Sequence, residues 1–146
     1  MNGGNLLAAV RIRGSPGTSR NAKDTLQMLN LTRMNHCIVV PKNSDYLGML
    51  RKVQNYVTWG EIDRRTLESL VKARAREPGD RKPDAGKLTK ALKALESGKS
   101  LKGTGLKRAF RLSPPSRGYK SVRLLYPKGD AGYRGREINT LLRRMI

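Results

Sequence analysis

The chain has 146 residues, of which 31 are Lys or Arg and 11 are Asp or Glu, giving a formal net charge of +20 at neutral pH. A field of that size repels other copies and seeks a polyanion, which points to a nucleic-acid backbone. An anionic membrane fits less well, because no stretch is apolar enough to span a bilayer and none joins a basic face to a broad aromatic or leucine face. The hydrophobic fraction of 37% suffices for a core, whereas the charged fraction of 29% and the Gly/Pro runs suggest that some segments pack against a partner. Cys37 is the single cysteine. It excludes an intrachain disulfide or a multi-cysteine metal site and points to a reducing, cytoplasmic setting.

Residues 1–60 hold eight Lys/Arg against two Asp, and residues 61–146 hold twenty-three against nine Asp/Glu. The first part is therefore expected to be the self-sufficient core, with a boundary at 63. Leu6 to Arg13 alternates: Leu6, Ala8, Val10 and Ile12 share one strand face, and Leu7, Ala9, Arg11 and Arg13 the other, which is expected to be wet or RNA-facing. The apolar run at 6–10 is too short for a signal segment and is followed by Arg11 and Arg13. Ser19 caps a helix with Ala22, Leu26 and Leu29 inward and Met28 beside them, and Asn30 suits a left-handed stop. Cys37 to Val40 reads as the second strand, stopped by Pro41. Ser44 or Asp45 caps a second helix with Tyr46, Leu50 and Val53 inward, where Gly48 calls for a close-packing reason. Tyr56 to Trp59 forms the third strand, ended by Gly60. Two helices on this β-α-β-α-β unit cover one sheet face and leave the other available.

Beyond 63 the character changes. Asp63 caps a helix with Leu67, Leu70 and Val71, and after a loop at 77–83, Asp84 starts another with Leu88, Leu92 and Leu95 inward. Residues 99–111 carry lysine-containing turns with little periodicity and are expected to be ordered by a partner. The runs 109–112 and 121–126 read as a hairpin. A glycine-spaced loop at 129–135 then leads to a helix with Ile138, Leu141, Leu142 and Met145 on one stripe.

Little here supports catalysis. Glycines at 129, 132 and 135 lack the spacings that bring backbone amides onto a pyrophosphate. They read either as tight turns against packed RNA or as an ordinary flexible turn. His36 and Cys37 are neighbours on a strand and point to opposite faces, so they do not share a metal ion or a proton. No carboxylate pair is placed for acid–base work. Among the few aromatics, Trp59 reads as a packed residue, and Tyr119 and Tyr133, each next to a glycine and near an arginine, as candidates for base stacking.

The stretch Asp24-Thr25-Leu26-Gln27-Met28-Leu29-Asn30-Leu31, with Asn35-His36-Cys37 and Val40-Pro41, resembles the first helix and second strand of the large-subunit ribosomal protein 30 family. Leu47-Gly48-Met49-Leu50-Arg51-Lys52-Val53 is similar to that family's second helix, internal glycine included. Arg111-Leu112-Ser113-Pro114-Pro115-Ser116-Arg117-Gly118, Gly129-Asp130-Ala131-Gly132, Ile138-Asn139 and Leu142-Arg143-Arg144-Met145 resemble its archaeal form and the eukaryotic counterpart numbered 7. Residues 77–108 match no motif.

The resemblance implies an α+β fold: a β-α-β-α-β core (1–63) with a three-stranded antiparallel, ferredoxin-like sheet. A helical and hairpin extension (64–146) would pack on it and on rRNA. It also implies a non-enzymatic, ribosome-bound role with no cofactor or metal. The implied partners are large-subunit rRNA, with 5S rRNA as a candidate, and neighbouring ribosomal proteins. The RNA-contacting residues expected from charge and setting are Arg11, Arg13, Lys107, Arg108, Arg111, Arg117, Tyr119, Lys120, Lys128, Tyr133, Arg134, Arg136 and Arg143. The alternative is a free-standing basic regulatory or chromatin-type nucleic-acid-binding protein.

Overall fold

The computed structural model describes residues 6–14, 19–77, 81–96, 109–121 and 123–146. The expected partner-ordered segment lies mostly outside the described residues. In chain order the elements are β1 (Leu6–Arg11), α1 (Arg20–Met28), β2 (His36–Pro41), α2 (Ser44–Lys52), β3 (Val57–Glu61), α3 (Arg64–Arg74), α4 (Ala85–Glu96), β4 (Phe110–Arg111), β5 (Gly132–Tyr133) and α5 (Glu137–Met145). The sheet has five strands in the order β4-β2-β1-β3-β5. The three central strands pair antiparallel as expected, but β4 and β5 extend the sheet and β5 runs parallel to β3. Among the described residues the expected hairpin does not form: β4 joins β2, and Leu125 makes an isolated bridge to Ala131. Backbone groups there are satisfied across the fold instead of by each other.

Helix starts follow side-chain caps. Ser19 accepts from the Ala22 amide, Asp63 from Thr66 and Asp84 from Lys87. The second helix is capped by Asn43, one residue before Ser44 and two before Asp45, the expected caps, through a 2.9 Å bond from the Tyr46 amide to its Oδ1. Asn30 takes the left-handed conformation (φ 60°) at the end of α1. Met28, expected beside the inner stripe, is 65% exposed.

Both faces of the sheet are covered, against the expectation that one stays available. On one side Leu7, Ala9, Ile38, Val40, Val57 and Trp59 pack beneath α1 and α2. On the other, Leu6, Ala8, Val10, Cys37 and Val39 meet Leu67, Leu70 and Val71 of α3, Leu95 of α4, Phe110, and Ile138, Leu141, Leu142 and Met145 of α5. Burial pushes the Cys37 thiol well above its usual range, as befits an inert core residue.

Gly60 does not end β3, which runs on to Glu61. A Cβ there would lie 1.8 Å from the Gly135 carbonyl oxygen and 3.1 Å from Ile138 Cβ, so the glycine is what lets α5 approach the sheet. Gly48 has no such reason. A Cβ at that helical position meets nothing within 4 Å.

Candidate nucleic-acid interface

The candidate cations fall into two sets. Arg11 is 3% exposed: its Nε donates to the Arg13 carbonyl at 2.8 Å and its Nη1 to the Leu31 carbonyl at 2.9 Å. The strand face expected to be wet is therefore inside, where this guanidinium ties the end of β1 to the turn after α1. Arg13, half-buried, lies 5.4 Å over the Tyr56 ring.

Arg134, expected at phosphates, is 8% exposed. Its Nε donates to Thr58 Oγ1 at 2.8 Å, and its Nη2 to the Asp130 carbonyl and Oδ1 at 2.8 and 2.9 Å. The other Asp130 oxygen accepts from the Lys120 and Ser121 amides. Tyr126 stacks against the guanidinium at 5.2 Å. The network fastens Lys120, Ser121 and Asp130 to β3, and an ion pair so buried is held in place by its hydrogen bonds. Sequence reasoning passed over Asp130. The signal was its isolation: residues 101–146 hold twelve Lys/Arg and two acids, Asp130 and Glu137, so an acid among so many cations invites an internal partner.

Glycines of the 129–135 loop face this packing. A Cβ on Gly129 would lie 2.2 Å from the Leu124 carbonyl oxygen, and Gly132 (φ 80°) and Gly135 (φ 58°) are left-handed. They are required by the chain's own turns. Tyr119 is half-buried and its hydroxyl donates to Asn35 Oδ1 at 2.6 Å; burial raises its pKa well above the usual range. Its ring supports the fold.

The second set points outward. Arg111, Arg117, Lys120, Lys128, Arg136 and Arg143 are exposed, as is Tyr133; Lys107 and Arg108 lie outside the described residues. Backbone bonds from Ser113 to the Met145 carbonyl (3.2 Å) and from Ser116 to the Arg144 carbonyl (3.1 Å) fold the loop after β4 across the last turn of α5. Arg144 then donates to the Gly118 carbonyl at 3.2 Å, bringing it beside Arg117. Cations at a helix C-terminus are favoured by its partial negative charge. Arg143 sits 3.6 Å from Asp63 on the opposite flank. Among the described residues no group of His, Cys, Asp and Glu could hold a metal ion, and no helix is long and apolar enough to cross a membrane.

A two-sided α+β core that spends Arg11 and Arg134 on its own framework and leaves Arg111, Arg117, Lys120, Lys128, Arg136 and Arg143 exposed defines a basic, polyanion-seeking protein without a catalytic constellation among the described residues. The sequence pattern of the family described as ribosomal protein L30p/L7e matches residues 7–57. Similarity to archaeal relatives named large ribosomal subunit protein uL30 runs much further. The relative from Methanosphaera stadtmanae is 40% identical over 97% of this chain and 100% of its own length, that from Methanococcus vannielii 42% over 95% and 98%, and that from Archaeoglobus fulgidus 41% over 96% and 99%. The chain belongs to the ribosomal protein L30p/L7e family.

Proposed function

We propose that this chain is a structural, non-catalytic component of the large ribosomal subunit that binds rRNA and sits among neighbouring ribosomal proteins in the cytoplasm. The observation that carries the reading is near full-length similarity to large-subunit proteins, joined to a net charge of +20. Contact runs through the outward set: Arg111, Arg117, Lys120, Lys128, Tyr133, Arg136 and Arg143, with Arg144 added by the geometry. Arg11 and Arg134 act on the fold itself. Phosphate contacts of this kind position the protein on RNA without reading bases.

Salt titration tests it. With about six to ten phosphates neutralised, log K for large-subunit rRNA should fall against log salt with a slope several units negative. A slope near zero overturns the electrostatic account. Running the titration separately on 5S rRNA assigns that candidate partner. Retention on large subunits through a high-salt wash is expected, whereas a free-standing regulatory or chromatin-type binder would wash off.

A further inference from the structure

A cleft of about 410 Å³ opens where the sheet runs past its covering helices. β3 and β5 are parallel with Trp59 opposite Tyr133, so both rings stand on the face that carries α1 and α2. The helices reach Trp59 but not the edge strand: Trp59 is 3% exposed and Tyr133 52%. Their ring centroids are 6.1 Å apart with planes tilted by 51°, which makes a corner, Trp59 the floor and Tyr133 the wall. Leu47, Arg51 and Gln54 line the α2 side, and Lys42 and Glu61 the rim.

The one carboxylate in the cleft is already engaged. Tyr133 donates its hydroxyl to Glu61 at 2.7 and 2.8 Å, and Lys42 Nζ lies 3.2 Å from the same carboxylate. Although burial raises the Glu61 pKa, those bonds outweigh it and hold the group below its usual range, charged. The bond also fixes the Tyr133 ring. Arg51 and Gln54, by contrast, make no side-chain hydrogen bond among the described residues. The cleft thus offers an oriented aromatic face, an apolar floor, an amide, and cations at the mouth.

That combination suits an unstacked nucleobase, whose ring stacks on an aromatic face while its edge takes side-chain hydrogen bonds and its phosphate meets a cation. A phosphate alone makes no use of the floor. We infer that this cleft receives one unpaired rRNA nucleotide, with its base against Tyr133 and its edge toward Gln54 and Arg51. The inference rests on the rRNA-binding reading above and adds a site that takes a base.

Trp59 is the single tryptophan, so its emission reports on the cleft floor. The full chain would be titrated with transcribed large-subunit rRNA at fixed salt, with binding measured independently by filter retention. Trp59 emission should change in step with binding. Tyr133→Ala should weaken binding about tenfold or more and abolish the change, while Tyr133→Phe, which keeps the ring, retains most of both. Gln54→Ala alters an exposed side chain that supports nothing in the fold, so its expected few-fold loss cannot be a folding defect. Tight binding with unchanged Trp59 emission and unaltered variants would overturn the assignment. So would an emission change seen only in assembled subunits, which would put a neighbouring protein in the cleft. Failure of the unmodified chain to bind rRNA at all would overturn the parent reading and this one together.

Discussion

The two faces of the sheet are built by different means. Beneath α1 and α2, every buried partner comes from residues 7–59, a stretch in which each helix lies between the strands it covers. The opposite face is roofed by residues from 62 to 145, drawn from three helices and the β4 edge. The first face is a local product and the second a long-range one. Local packing leaves its signature in periodicity, whereas long-range packing depends on where distant segments return.

Truncation breaks that comparison hardest. A chain ending at Asp63 keeps one roof and strips Leu6, Ala8, Val10, Cys37 and Val39 of the other, and so short a domain has little core to spare. No cooperative thermal transition is expected of it, although sequence reasoning expected residues 1–63 to fold alone. A sharp melt in the fragment would show that one covered face is enough.

Next in size is Arg134→Ala. It removes the cation paired with the buried Asp130 carboxylate and a donor to Thr58, and should cost about 3–5 kcal/mol. Arg136→Ala, an exposed change two residues on, should leave the melt within about 0.5 kcal/mol and lower rRNA affinity instead. Equal melting losses in the two variants would erase the division between inward and outward arginines. Leu141→Ala and Leu26→Ala sample one roof each and should each cost about 2–5 kcal/mol. If the faces fold as one unit, both shift a single calorimetric transition, and a split transition in either would show two.

Asp63 joins the two regions. Burial raises its pKa, but the Thr66 hydrogen bonds and the charges of Arg143 and Arg65 outweigh that and hold it below the usual carboxylate range. A carboxyl whose folded pKa is depressed contributes fully above its unfolded value, about pH 4, and loses that contribution as pH falls through the folded one. Asp63→Ala should cost about 1 kcal/mol at neutral pH, and Asp63→Asn, which keeps a cap acceptor, should flatten the acid limb of the stability curve. The smallest effect has the opposite sign. Gly48→Ala fills open space on α2 and should stabilise by up to about 1 kcal/mol; a loss of rRNA binding in that variant would mean that RNA, not the fold, needs the glycine.

Sequence made the helices legible because caps and stripes are local. Ser19, Asp63, Asp84 and the left-handed Asn30 were readable one by one, and so was the α5 stripe. Asn43 was missed because Asn43, Ser44 and Asp45 are all good caps and the backbone chooses among them. The two-residue strands β4 and β5 are too short to show alternation. Arg11 and Arg134 misled for a related reason. Charge is visible in a sequence, but the carbonyls and the carboxylate that draw a guanidinium inward are assembled by the fold. The aromatic cleft went unread because Trp59 and Tyr133 become neighbours only through a strand pairing that no motif announces.

The position of β1 in the middle of the sheet carries a consequence for manufacture. β1 is made early, yet the cover of its second face is shared among α3, α4, the β4 edge and α5, and α5, the last of these, lies some 130 residues downstream. At about 5–20 residues per second that interval is on the order of ten seconds, during which a growing, strongly basic chain presents an apolar sheet face whose cover is incomplete. A nascent chain halted before Glu137 still lacks Ile138, Leu141, Leu142 and Met145 on that face and is thus a natural client for chaperones and proteases.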